Sequence, residues 1–472
     1  MRNKDIKPFG IRDKIGYLFG DFGNDFTFIL STTILLKFYT DVMGISAAVV
    51  GVVMMAARFV DGFTDVAMGR ICDRSKMTSI GKFKPWIMRM CFPVAIASFL
   101  IYQSGLAAAP KVIKIVWLFV TYILWGSVLY TSINIPYGSM ASAISAEPGD
   151  RQSLSTYRTM GGMLAGVVIG VVLPLIAYKT NAAGKEVLIG SKVTLVAGVF
   201  SILAVVCYLL CYKLVTERVR PEVSEDAMKN NSLGKMLRNA IKNRALISII
   251  VASVVMLLAQ LTMQSMAGYV FPEYYNSAKA QSASTITMMI GMIIAAAVAK
   301  PLSKKFGKAE VSIVSNLFAT VVCVILFIIR PDNVWVYIGF QSLCWLGLGI
   351  FSMVSWALIT DVIDYSELKN GIREDGSVYA LYSFARKLGQ AISAGLSGAL
   401  LTIIGYDTRA ATEGVAQSDS VLDGIFNIST LFPAIGFLLL ALVLWFWYPL
   451  HKKQVDANVA ALKEKHNQSD TE

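Results

Sequence analysis

Arg58-Phe-Val-Asp61-Gly-Phe-Thr64-Asp65-Val-Ala-Met-Gly69 is the stretch that decides how this chain is read. It is the second half of an apolar run that begins near Ser46 and passes through Val52 and Met55 to Met68. Such a run is about the 20 residues that cross a bilayer. A charge at the centre of a membrane helix costs about 2.5–3.5 kcal/mol even on the lenient insertion scale. Arg58, Asp61 and Asp65 are three and four residues apart, so a helix stacks them on one side. That side must face other helices or a water-filled cavity. An Arg58–Asp61 ion pair accounts for one aspartate and leaves the second. Two carboxylates one turn apart, with the Thr64 hydroxyl beside them, suit a hard cation with its preference for oxygen ligands. They equally suit a proton, which a carboxylate holds more readily in a low dielectric. Spacing alone does not separate the two.

The whole chain has the same character. Of 472 residues 55% are hydrophobic and only 16% charged, against about 25% charged in soluble domains, so an all-α integral membrane protein is expected. The net charge of +12 would suggest nucleic acid in a soluble chain. Here the basic residues gather between and beyond the apolar runs, and membrane topology accounts for them. The two histidines, His451 and His466, lie in the tail, which excludes a histidine-based active site. Of the six cysteines, Cys91, Cys207, Cys211, Cys323 and Cys344 lie in apolar runs and Cys72 in a basic loop. None has metal-ligand spacing with histidine.

Twelve spans are read, near 15–40, 46–69, 86–106, 113–138, 156–178 and 194–214, then 245–270, 282–303, 309–329, 334–360, 377–404 and 424–448. Helices are required because only helices and closed barrels satisfy the backbone in lipid, and the ten-residue alternating strands of a barrel are missing. The expected organisation is a six-helix bundle over 1–214, a cytoplasmic linker over 215–244, a second six-helix bundle over 245–450 and a cytoplasmic tail over 451–472. A short amphipathic helix is expected within the linker over Leu233 to Ile241, and a helical tail to about Lys465. Arg70, Arg74, Lys76, Lys82, Lys84 and Arg89 between spans 2 and 3 mark that side as cytoplasmic, with both termini on it.

The halves echo each other. Gly81-Lys-Phe-Lys84 after span 2 recurs as Phe306-Gly-Lys308 after span 8. Arg158 heads the small residues Gly162, Gly166 and Gly170, and Lys387 heads Ala391, Gly395 and Ala399 at the same step of four. Such stripes serve close helix packing. Parallel repeats with a midplane site are a common transporter plan. Span 1 adds Asp21, Asn24 and Asp25. Span 4 adds Tyr130, Thr131, Ser132, Asn134 and Pro136, and span 11 adds Tyr382, Ser383 and Arg386. Pro136 has no N–H, so the Ser132 carbonyl loses its helical partner; this either frees a cation ligand beside Thr131 or simply kinks the helix. Phosphate-binding glycine loops, nucleophile elbows and zinc motifs are missing, so an enzyme is not expected.

At these residues the chain resembles the glycoside–pentoside–hexuronide:cation symporters, which include the melibiose permease and the glucuronide carriers. The resemblance runs nearly the whole length. It is carried by Phe38-Tyr-Thr-Asp41, the Arg58/Asp61/Asp65 helix, Gly81-Lys-Phe-Lys-Pro-Trp86, Asn134-Ile-Pro-Tyr-Gly138 and Asp361-Val-Ile-Asp-Tyr-Ser-Glu367. It implies a major facilitator fold with alternating access. It implies that Asp61, Asp65 and Thr131 hold the coupling cation, Na+ or H+, with Thr64 nearby. It implies that Asp25, Arg158 and Lys387 hold the sugar, with Tyr130, Asn134 and Tyr382 in the wall. Asp361, Asp364 and Arg373 match positions near a cytoplasmic gate, and Arg58 is grouped with them. Where the melibiose permease has an aspartate in span 4 this chain has Asn134, and its tryptophan four residues on is Gly138 here. Both changes point away from a galactoside. Asn134 to Ser139 and Arg386-Lys387-Leu-Gly-Gln390 resemble the glucuronide carriers instead.

The resulting expectation is a cation-coupled importer of a glycoside in the cell membrane. It is monomeric and free of cofactor, and its partners are the small-molecule substrate and the bilayer, with no nucleic acid. Arg158, Lys387 and, at the edge, Arg386 would face Asp25, and arginine's planar fork fits a carboxylate. A β-glucuronide is therefore expected first and a xyloside or other neutral pentoside second. Two rivals are a lysolipid carrier of the same superfamily, which needs an apolar chamber, and a membrane sensor that binds sugar without accumulating it.

Overall fold

The computed structural model describes residues 8–75, 77–219, 243–370 and 375–469. The expected linker helix over 233–241 and the expected gate residue Arg373 lie outside them. The first seven helices are α1 (Ile11–Lys37), α2 (Ala47–Arg74), α3 (Lys84–Ile101), α4 (Lys111–Ile123), α5 (Thr131–Ile144), α6 (Pro148–Ala177) and α7 (Gly190–Leu214). α4 and α5 form one rod joined by a wider π-turn over Leu124–Tyr130. Five long helices follow: Arg244–Tyr269, Ala278–Phe306, Lys308–Ile329, Val334–Asn370 and Asp375–Ile403. Short Thr408–Glu413, long Asp419–Leu442 and the tail helix Lys452–Ser469 complete the chain, the last running past the expected Lys465. Ten spans among the described residues are long and apolar enough to cross a membrane. The two long helices that fall short, α1 and Asp375–Ile403, are those that carry Asp21 and Asp25, and Arg386 and Lys387.

The surface is inverted relative to a soluble protein. Phe63, Val112, Ile202, Ile328 and Ile403 are exposed, while Asp13, Asp21, Asn24, Lys37, Asp41 and Glu273 are buried. Lipid solvates the first set; the second needs partners inside the protein. The only strand pair among the described residues is a hairpin outside the spans, β1 (Tyr178–Thr180) with β2 (Glu186–Leu188), in the register Tyr178↔Leu188.

The described residues form two compact units. The first takes in residues 8–219 together with 271–282 and 394–422. In it α1 packs along α6 and α7, and α3 along α7 and α5. Close approach depends on small residues. A Cβ at Gly395 would meet the Met55 sulfur at 2.9 Å, and one at Gly398 would meet the Gly51 Cα at 3.0 Å. The segment after α7 is fixed in place. The Glu217 carboxylate accepts the backbone N–H groups of Lys82, Phe83 and Lys84 at 2.7, 2.9 and 2.7 Å. These are orphan donors at the start of α3, which a helix leaves unsatisfied. Arg218 pairs with buried Asp13 at 2.9 Å.

The second unit takes in 243–270, 283–393 and 423–469. Helix Lys308–Ile329 packs along Val334–Asn370, which also meets Arg244–Tyr269. Asn243 caps the latter, its side-chain oxygen accepting from Ala245 and Leu246 N–H at 3.1 and 3.2 Å. The echo noted in the sequence is structural. Gly81 and Gly307 stand at φ +126° and +104°, a region where other residues are strained, and each is covered by a glutamate carboxylate, Glu217 and Glu310 respectively.

Candidate transport site

α2 and the α4–α5 rod meet side by side in the first unit. Ser127 and Thr131 are four residues apart, as are Asp61 and Asp65, so two turns face two turns. The Ser127 hydroxyl donates to Asp61 Oδ1 at 2.5 Å and the Thr131 hydroxyl donates to Asp65 Oδ1 at 2.9 Å. The result is a ladder of two carboxylate–hydroxyl rungs. The π-turn over Leu124–Tyr130 contains Ser127 and ends just before Thr131; such bulges are frequent at functional sites. Arg58 closes one side, its Nη1 3.2 Å from Asp61 Oδ2 and its guanidinium over the Phe28 ring. The Thr64 hydroxyl donates to the carbonyls of Val60 and Asp61 on its own helix, at 3.3 and 3.2 Å.

A second polar group lies between α1, α5 and α6. Arg158 pairs with Asp21, Nε to Oδ1, at 2.9 Å, and its guanidinium lies over the Tyr137 ring. Asp25, one turn on, is half-buried and makes none of the hydrogen bonds or ion pairs found among the described residues. Its Oδ2 and that of Asp21 both crowd the place where a Cβ on Gly162 would stand, so the first glycine of the Arg158 stripe makes room for two carboxylates. Asn134 accepts from Asn24 Nδ2 at 3.4 Å, and Asn24 Oδ1 accepts from buried Tyr208 at 2.8 Å. Tyr130 stacks on Phe28 with centroids 5.6 Å apart.

Tyr382, Arg386 and Lys387 belong to the second unit. Tyr382 is fully buried, 2.7 Å from Ser253 Oγ, with its ring edge-on to Trp356. The Arg386 guanidinium lies over Trp356 and Tyr382, 5.7 and 5.8 Å from their centroids, and Lys387 beside it is half-buried. Asp361 pairs with Lys308 at 2.5 Å, and Asp364 is half-buried one turn on.

Three participants carried no assigned role in the sequence reading: Ser127, Asp21 and Lys308. Ser127 has the same four-residue offset from Thr131 that separates the two acids, which is a signal in retrospect. Lys308 stood in the repeated Phe306-Gly-Lys308. Asp21 was visible in span 1, but its pairing with Arg158 across two helices leaves no mark in a linear sequence.

Paired acids, amides and a guanidinium inside apolar spans have the layout of a membrane transporter. The chain belongs to the family described as MFS/sugar transport protein, whose model matches residues 16–452. It is therefore a major facilitator of the sugar-symporter type. It is 30% identical over 474 residues to an isoprimeverose transporter of Lactiplantibacillus pentosus, covering 99% of this chain and 94% of that one. It is 29% identical over 444 residues to a glucuronide carrier protein homolog of Escherichia coli (strain K12), covering 94% and 93%. The crystal structure of a D-xylose-proton symporter superposes with a TM-score of 0.59 at 14% identity over 93% of this chain and 97% of that one, a likeness of fold.

Proposed function

We propose that the protein accumulates a glycoside by cation-coupled symport with alternating access. The carboxylate–hydroxyl ladder of Asp61–Ser127 and Asp65–Thr131 carries this reading. A hydroxyl donates one proton and keeps acceptor lone pairs. With no cation, Ser127 and Thr131 donate to the acids. With Na+ between the helices they rotate and offer oxygen, and four oxygen donors face one ion. With H+ a carboxyl takes the proton and donates back to the hydroxyl. Arg158, Asp21, Asp25 and Asn134 form a sugar-binding wall in the first unit. The lysolipid alternative is disfavoured by this polarity.

The substrate we place first is a neutral pentose-containing glycoside, because Arg158 is already held by Asp21 and Arg386 lies against aromatic rings. A glucuronide is the second reading, favoured by the relative named as a glucuronide carrier homolog. Uptake of labelled glycosides into right-side-out vesicles, with and without sodium and with a collapsed proton gradient, tests the proposal. Binding without accumulation under every gradient would overturn symport and leave a sensor.

A further inference from the structure

We propose that Asp21 is a specificity-determining residue that sets the charge class of the substrate by holding Arg158. This rests on the symport reading and deepens it. The ion pair joins α1 to α6 through one guanidinium edge, and Tyr137 supports the guanidinium face. Asp21 is the more buried partner, its side chain 12% exposed against 39% for Arg158, so Arg158 is the partner more open to solvent. Gly162 lets Asp25 stand beside the same pair. The wall therefore presents two carboxylates and one guanidinium, with no surplus positive charge for a sugar acid. Hydroxyls of a neutral sugar meet both an acceptor, Asp25, and a polarised donor, Arg158, whereas a carboxylate substrate must share the guanidinium with Asp21 and stand beside two carboxylates. Removing the Asp21 charge frees the Nε edge of the guanidinium and removes a competing carboxylate, which favours bidentate recognition of a substrate carboxylate.

The test is inhibition of labelled uptake in vesicles by a xyloside and by the matching glucuronide. In Asp21→Asn the ratio of their inhibition constants should move at least tenfold towards the glucuronide, and Asp21→Glu should keep the wild-type ratio. If Asp21→Asn does not reach the membrane, Asp21→Ser carries the same expectation. Uptake lowered with an unchanged ratio would show a merely structural residue and overturn the inference. A wild-type protein that accumulates neither sugar would instead overturn the symport reading.

An independent observation concerns the opposite end of the first unit. Lys37, at the end of α1, contacts Asp41 at 2.6 Å and Glu273 at 2.8 Å, and Lys185 contacts Glu273 at 2.9 Å. The Tyr406 hydroxyl donates to Asp41 at 2.8 Å. Two cations and two anions close a neutral cluster whose side chains are between 1% and 12% exposed. Its members come from the ends of spans 1 and 7 and from the connections between spans 5 and 6 and between spans 11 and 12. All lie on the side opposite the basic turn between spans 2 and 3. We infer that this cluster is the latch of the outer gate, made when the transporter is closed to the outside and broken when it opens. Ser282, whose hydroxyl bonds the Val171 carbonyl at 2.9 Å along the same seam, reports it.

In Ser282→Cys, labelling by a membrane-impermeant maleimide in right-side-out vesicles should rise severalfold when Glu273→Gln is added, against the same variants lacking the new cysteine. Lys185→Met, which removes a single partner at the rim, should raise it less. Unchanged labelling in either variant at equal membrane amounts overturns the latch.

Discussion

Two groups of acids in the first unit, one half-buried and one buried, are held in opposite ways. Asp61 and Asp65 each accept from a hydroxyl, at 2.5 and 2.9 Å. Asp41 and Glu273 each meet the ammonium of Lys37, and Glu273 meets Lys185 as well. A hydroxyl is both donor and acceptor and can turn its lone pairs to an incoming cation; an ammonium has three donors and no acceptor. The first arrangement can exchange its proton donor for an ion without rebuilding the helices. The second admits no ion at all, because lysine already occupies its place, and it yields only when whole segments separate. The difference in partner chemistry is what we take to distinguish a binding site from a latch.

Five experiments press on that contrast. The largest effect is expected from Asp65→Asn, which should abolish cation-driven accumulation while sugar binding largely survives. Wild-type accumulation would refute the ladder as the coupling site. In the native protein cation and sugar should raise each other's affinity by one common factor, as linkage requires; titrating each ligand at several concentrations of the other measures it. Next, Ser127→Ala and Thr131→Ala each remove one rung. The loss of a hydrogen bond of about 1–1.5 kcal/mol should weaken the apparent cation affinity by roughly tenfold, read from the cation dependence of sugar binding. Tyr406→Phe removes one neutral donor from the latch and leaves its four charges, so accessibility at Ser282→Cys should rise about twofold, less than with Glu273→Gln. The smallest change belongs to Thr64→Ala. That hydroxyl bonds its own helix backbone, and cation affinity should stay within about twofold of wild type, as for surface changes of about 0.5 kcal/mol. A tenfold loss there would place Thr64 among the cation ligands.

The sequence disclosed the helical rods and the offending charges because both are local properties. An apolar run shows its length, and Arg58, Asp61 and Asp65 show their common face by spacing alone. The repeated glycine turns were legible for the same reason, since Gly81 and Gly307 sit in matching strings of residues. What stayed hidden was pairing at a distance. The Asp21 partner of Arg158 and the Trp356 and Tyr382 rings beneath Arg386 could not be read from spacing. Lys37, Glu273 and Tyr406 lie far apart in the chain, and nothing in the spacing of any one span announces that they meet. The hairpin between spans 5 and 6 was missed because three-residue strands carry too little periodicity to read.

The sealing of the Lys37 cluster bears on how the protein meets salt. Ions in solution weaken exposed charge pairs over a Debye length of about 8 Å at physiological strength, and reach buried pairs far less. The Arg330–Asp423 pair, with side chains 36% and 56% exposed, is open to that screening. Lys37 and Glu273, at 1% and 4%, are shielded by the protein around them. A cell entering brine or fresh water thus changes the ions around the carriers in its membrane, and under the proposed symport those ions would reach the acids of α2 while the proposed latch at the far end of α1 stayed closed.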